Sequence, residues 1–139
     1  MLKSAVVDSS VLVSGFLVPS GPPGQVLNRQ DGCIFYVSSI ILEEVRRALQ
    51  RPKLLSRYRY TPEQAEEYVK LLASATEVVT RLPEIEPVCR DPDDDHVLAA
   101  ALAAKTALIV TSDADLLALG TYKRIEILTP KAFLELVGV

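Results

Sequence analysis

Tryptophan is absent from this 139-residue chain, histidine occurs once and cysteine twice. Cys33 and Cys89 are far apart without CxxC spacing, and with a single histidine they argue against a structural zinc site. Cys33, inside the strand-like stretch Cys33 to Val37, is expected to be a reduced buried thiol. Long apolar runs are also missing. The longest, Val97 to Ala104, is far too short to cross a bilayer, and it sits between His96 and Lys105 as a buried helix would. The first apolar run, Ala5 to Val7, is cut by Asp8 before it reaches the length a signal peptide needs. A cytoplasmic protein without membrane association is expected. There are no repeats and no low-complexity tract. No excess of positive charge marks the chain as a nucleic-acid binder, because its net charge is −3.

What is present is a composition that folds. Nearly half the residues are hydrophobic and about a quarter are charged, enough for a real core and a soluble surface. The length suits one domain over residues 1–139. The charges are unevenly placed. Arg46, Arg47, Arg51, Lys53, Arg57 and Arg59 fall in one stretch without an acid, whereas Asp91, Asp93, Asp94 and Asp95 are packed into five positions. A basic stretch and an acidic knot in one small domain suit a protein that holds a polyanion beside a metal.

The chain alternates strand-like and helix-like segments. Strands are expected at Ser4 to Val7, Cys33 to Val37, Glu77 to Thr80, Ala107 to Thr111 and Ile125 to Leu128. Gly21-Pro22-Pro23-Gly24 is expected to be a loop. Ser38 or Ser39 caps a helix reaching about Gln50, which Arg51-Pro52 ends or bends. Thr61-Pro62-Glu63-Gln64 is a capping box with proline at the first helical position, opening a helix to about Thr76. Asp91-Pro92 starts a helix that runs to Lys105, and Pro130 opens a last one. The alternation predicts an α/β fold with a mostly parallel sheet covered on both faces. Such sheets place their sites at the carboxyl ends of strands, near the point where strand order reverses. Asp8 and Asp113 each follow a strand directly.

Each carboxylate has an ordinary alternative. Asp8 and Asp113 would serve equally as helix caps or turn residues. Glu44 lies one turn from Ile41 and Ala48 and borders the apolar helix face, whereas Glu43 lines up with Arg46 and Arg47 on the solvent side. Within the acidic knot, Asp91 is read as a cap and Asp93 as a complement to the helix dipole. Asp95 shares a face with Leu98, Ala99 and Leu102 and is preferred as the site residue; Asp94, in line with Leu98 and Ala101, is its close competitor. An EF-hand is excluded, because His96 stands where the loop glycine belongs and Leu102 where the glutamate does. Asp8, Glu44, Asp95 and Asp113 come from separate elements and would repel one another, raising their pKa values, unless a divalent cation joined them. Oxygen ligands without histidine or cysteine favour Mg²⁺ or Mn²⁺, which can activate water and stabilise charge on a phosphodiester.

Four pieces in order then resemble the PIN-domain nucleases, in particular their prokaryotic toxin-like (VapC-type) branch. They are Val6 to Ser14, Ser38 to Val45 with Leu49 to Lys53, Arg90 to Ala101, and Ile109 to Leu117. Leu128-Thr129-Pro130 and Phe133-Leu134 extend the likeness over nearly the whole chain. The resemblance implies an α/β/α sandwich and a Mg²⁺- or Mn²⁺-dependent ribonuclease. It makes Asp8, Glu44, Asp95 and Asp113 the metal-binding acids, with Asp115 nearby; Asp94 remains a further candidate from its helix position. It gives Thr111 and Ser112 the shaping of the turn beside them. It also implies an RNA substrate, a protein antitoxin and a homodimer. The family often carries Asn where this chain has Ser10, whose shorter hydroxyl can still hold Asp8. The six basic residues would contact phosphates, with Tyr58 and Tyr60 as stacking surfaces; the alternative is a solvated helix face. Competing functions are a PIN-like RNA-binding or regulatory module without catalysis and a DNA-directed PIN nuclease, for whose usual helical inserts the chain has little room. A DxD phosphatase is disfavoured because Ser10 stands where its second acid belongs.

Overall fold

The computed structural model describes residues 3–29 and 32–138. Strand β1 (Lys3–Val7) leads into α1 (Ser9–Leu17) and α2 (Pro22–Leu27). Strand β2 (Cys33–Ser38) is followed by α3 (Ser39–Leu49), α4 (Pro52–Tyr58), α5 (Pro62–Ala75) and β3 (Glu77–Val79). After a long loop come a 3₁₀ turn (Pro92–Asp94), α6 (Asp95–Ala104), β4 (Leu108–Val110), α7 (Ala114–Leu119), β5 (Thr121–Tyr122), β6 (Ile125–Leu128) and α8 (Pro130–Leu136).

The strands form one sheet in the order β3-β2-β1-β4-β6-β5. All neighbours run parallel except β5, which pairs antiparallel with β6. Helices flank the sheet, as the alternating pattern predicts. Ala5, Val6 and Val7 of β1 are all fully buried, which is why that strand reads as a continuous apolar run instead of an alternating one. From β1 the chain moves outward through β2 and β3; β4 lies on the other side of β1. The reversal therefore falls between β1 and β4, and Asp8 and Asp113 follow those two strands.

Local chemistry explains the boundaries. Thr61 and Gln64 form the expected reciprocal capping box, an arrangement worth about 1 kcal/mol. Pro52 holds Arg51 in an extended conformation, so α3 stops at Leu49 and α4 begins with proline in its first turn. The expected loop at Gly21 to Gly24 is instead the start of α2. Pro22 and Pro23 occupy the first helical turn, where missing N–H groups cost nothing. The reduced thiol expected to be buried at Cys33 is half-exposed, and Cys89 is the buried one.

Gly24 lies directly against the carbonyl of Pro19, where an added Cβ would overlap backbone oxygen and carbon. Gly24→Ala should therefore lower stability by about 1–3 kcal/mol, the usual cost of overpacking against atoms that cannot rotate away. Thermal melting checks this; an unchanged melting temperature would mean that the turn at Pro19 yields freely.

Candidate active site

Asp8 is the buried anchor of the site, only 5% exposed. It caps α1 by accepting a hydrogen bond from the Ser9 N–H (2.8 Å). Its Oδ2 accepts from Thr111 Oγ1 (2.7 Å) and from Ser10 Oγ (2.9 Å). Both hydroxyls also accept backbone protons: Asp113 N–H donates to Thr111 (2.9 Å) and Ser112 N–H to Ser10 (3.0 Å). A hydroxyl has one proton, so accepting from the backbone leaves that proton for Asp8. Ser10 thus grips Asp8 despite being shorter than asparagine. Burial raises the Asp8 pKa, and these donors only partly offset it.

Asp113 caps α7 by accepting from the Leu116 N–H (3.0 Å). This is the ordinary role the sequence allowed, and it coexists with a place in the site. Carboxylate oxygens of Asp94, Asp113 and Asp115 all lie within 4.8 Å of one another. Asp8, Glu44, Asp94 and Asp113 line one cleft of about 490 Å³ together with Ser9, Ser10, Ser14, Arg47 and Arg51.

Of the two neighbours in the acidic knot, the structure places Asp94, and not the preferred Asp95, in the cleft. Asp95 turns to the loop before it, where its carboxylate accepts from the N–H groups of Cys89 (2.8 Å) and Val88 (3.3 Å). Burial is the largest single influence and opposes ionisation there, but the donors of Cys89 and Val88 together outweigh it and hold the Asp95 pKa below the usual range. Asp94 faces the cleft instead. The reason lies in two local features. Asp91 caps a 3₁₀ turn, not an α-helix, so the first residues of the knot advance by about 120° each. Beyond it, Ala101 is fully buried while Leu102 is half-exposed. Small alanines let α6 sit close on the sheet, and the larger leucine lies at the edge. The buried face is therefore the one that continues Asp94.

Glu44 borders the apolar face of α3 as expected, but it is not left to repulsion. Ser9 Oγ donates to its Oε1 (3.0 Å), and His96 Nε2 pairs with its Oε2 (3.0 Å). Burial opposes ionisation, yet the contact with His96 wins and lowers the Glu44 pKa; the same contact raises that of His96. His96 was missed in the sequence. A lone histidine between an acidic knot and an apolar run was the available signal.

The basic stretch divides. Arg47 and Arg51 line the cleft. Arg46 is tied to Glu66 (3.0 Å) and Glu43 (3.1 Å), and Arg47 lies 3.7 Å from Glu43. Lys53, Arg57 and Arg59 are exposed beyond the cleft. Arg57 lies over the ring of its own neighbour, Tyr58. Tyr60 is not a free stacking surface, because it donates to the Leu49 carbonyl (2.6 Å) and meets Phe16 edge-on.

The acids suit a hard divalent cation. All donors are oxygens, and Asp94 Oδ2 is buried with no hydrogen-bond partner among the described residues. Asp94, Asp113 and Asp115, with oxygens within 4.8 Å of one another, would be the residues to hold such a cation. Burial, together with the nearby Asp113, Asp91 and Asp8, pushes the Asp94 pKa up to about 7.

A family model described as PIN domain matches residues 4–115. An uncharacterized protein of Methanocaldococcus jannaschii is 29% identical over 140 residues, covering 94% of this chain and 88% of that protein. Among solved structures, VapBC2 from Rickettsia felis, bound to a DNA fragment from their promoter, contains a chain that aligns with a TM-score of 0.61 at 13% identity. The alignment covers 91% of this chain and 98% of the other. At that identity the likeness is one of fold.

Between the ordinary aspartate range and about 7, Asp94 holds its proton more tightly in the folded chain than in the unfolded one. Stability without metal should therefore fall as pH rises through that window, and Asp8 acts in the same direction. Glu44 acts oppositely, but only below its ordinary range. In chelator, the melting advantage of Asp94→Asn over wild type should be small near about pH 4 and much larger near about pH 7.5. A difference of equal size at both pH values would contradict the raised Asp94 pKa.

Proposed function

Because the chain belongs to the PIN domain family, a family of nucleases, we propose that it is a Mg²⁺- or Mn²⁺-dependent ribonuclease of the toxin type. The observation that carries this reading is the gathering of Asp8, Asp94, Asp113 and Asp115 at the carboxyl ends of the adjacent strands β1 and β4. Asp94, Asp113 and Asp115 would hold the cation, with Asp8 beside them. When bound, the cation supplies Lewis-acid stabilisation of charge on the phosphodiester. The protein does the positioning. Thr111 and Ser10 fix Asp8, Asp113 is fixed by the start of α7, and Glu44 is pinned through both oxygens by Ser9 and His96. Asp94 Oδ2, lacking a protein partner among the described residues, is the oxygen open to a cation or a proton. Arg47 and Arg51 bring positive charge to the same cleft, where a phosphate chain would need it.

The RNA preference, an antitoxin partner and a homodimer are inferred from the likeness of the motifs to the toxin-like branch. The fold shared with a chain of the Rickettsia VapBC2 assembly supports the antitoxin partner alone. A single domain over residues 1–139 and a cytoplasmic location complete the proposal; no described helix is long and apolar enough to cross a membrane.

Asp8→Asn, Glu44→Gln, Asp94→Asn and Asp113→Asn should each lower Mn²⁺-supported cleavage of single-stranded RNA by about a hundredfold or more. Asp95→Asn should stay within a few-fold of wild type, since its carboxylate serves the loop. An inactive Asp95→Asn beside an active Asp94→Asn would reverse the assignment.

Binding in chelator tests the cations. Arg47→Gln and Arg51→Gln should each reduce the slope of log affinity against log salt by about 0.7, the value for one contact to a single strand. Arg46→Gln, already held by two glutamates, should leave the slope unchanged. Equal effects at all three would mean that only net charge matters.

A further inference from the structure

We propose a second phosphate-binding site at the amino-terminal edge of the sheet, remote from the acids, which takes the backbone of a nucleic-acid strand extending out of the cleft. This rests on the proposed nucleic-acid substrate. Lys3, Lys105 and Arg124 line one hollow of about 460 Å³ together with Ser4, Leu108 and Glu126. The topology brings them there. Lys3 begins β1, Lys105 ends α6 on the approach to β4, and Arg124 immediately precedes β6. All three mark the starts of parallel strands, two of which, β1 and β4, lead to Asp8 and Asp113 at their far ends, so the hollow lies roughly 16 Å from Asp8 along β1.

Two observations make this more than scattered surface charge. The chain as a whole is acidic, with a net charge of −3, and none of these cations forms an ion pair with an acid among the described residues. The second is conformational. Among the described residues, the non-glycine positions with positive φ are Arg59, Lys105, Lys123 and Arg124. Three of the four lie at this edge. In the left-handed region a side chain costs about 1–2 kcal/mol relative to the right-handed one, and glycine or asparagine is the usual occupant. Lys123 and Arg124 hold both central positions of the two-residue turn between β5 and β6 (φ 45° and 69°), where Asn-Gly is the favoured pair. Lys105 (φ 57°) closes α6, and a helix dipole alone would reward a lysine there. No helix ends at the β5–β6 turn, so that explanation does not reach Lys123 and Arg124. Unfavourable backbone at consecutive cationic residues points to what the side chains do. Lys123 rests over the Tyr122 ring (5.5 Å), and Arg124 reaches the hollow.

The strain gives the test opposite signs for stability and binding. Replacing Lys123→Asn and Arg124→Gly together restores the favoured turn, and Lys105→Asn relieves the end of α6. The double variant should melt at or above the wild-type temperature. It should bind a long single-stranded RNA several-fold more weakly in chelator, with a salt slope smaller by about 0.7 for each phosphate that the protein no longer neutralises. Binding of a trinucleotide, short enough to stay in the acid cleft, should not change. Lys70→Gln, elsewhere on the surface, should leave both probes unchanged. Unaltered long-strand affinity and slope in the double variant would overturn the inference, as would an equal loss for the trinucleotide or for Lys70→Gln. If inorganic diphosphate raises the wild-type melting temperature but not the variant's, while long-strand binding is unaltered, the hollow serves a small free phosphate and the strand assignment fails. If wild type binds no long RNA, the nucleic-acid reading of the whole protein fails with it, whereas binding that the variants match sinks this inference alone.

Discussion

A buried carboxylate has to be held by donors, and much of the site follows from how Asp8 is held. Leaving such a group unpaired costs several kcal/mol. Here the donors are the hydroxyls of Ser10 and Thr111, one from the start of α1 and the other from the end of β4. Each hydroxyl is oriented by a backbone N–H of the β4–α7 turn. One carboxylate therefore ties the ends of two neighbouring parallel strands together and sets the turn from which Asp113 projects. The switch point of the sheet is where such a tie is possible, because there two strand ends diverge toward helices on different sides and leave room between them.

The acids around this anchor do not share one electrostatic environment. Glu44 has a histidine and a hydroxyl, Asp95 has two backbone amides, and both are stabilised as anions. Asp94 has only neighbouring acids and an oxygen with no partner among the described residues. The charge conflict expected of a whole quartet is thus concentrated on one residue, which makes that position the one most sensitive to whatever positive charge arrives.

Much of the fold could be read from the sequence because its signals were local. The capping box at Thr61, the proline after Arg51 and the unbroken apolar run before Asp8 each dictate a boundary through sterics or hydrogen bonding within a few residues. Asp8 and Asp113 were legible as candidates for the same reason: they follow strands. Misreadings arose where local signals have two outcomes. Gly-Pro-Pro-Gly reads as a turn, yet prolines are equally suited to a first helical turn. Asp94 and Asp95 could be separated only by knowing that the knot winds as a 3₁₀ turn and that alanine, not leucine, faces the sheet. The Glu44–His96 pair joins residues 52 positions apart and has no local signature beyond the solitude of the histidine.

The outermost strands of the sheet are brief, three residues in β3 and two in β5. Exposed sheet borders are where one polypeptide can zip onto another through unpaired backbone amides and carbonyls. Borders this short offer too few of those groups to seed a continuous ladder, and the antiparallel turn of β5 closes one of them with side chains of like charge. Cross-β aggregation through native borders is thereby disfavoured even though the strands themselves are rich in valine and isoleucine. A pairing of two copies of this chain through a continuous sheet is disfavoured by the same short borders.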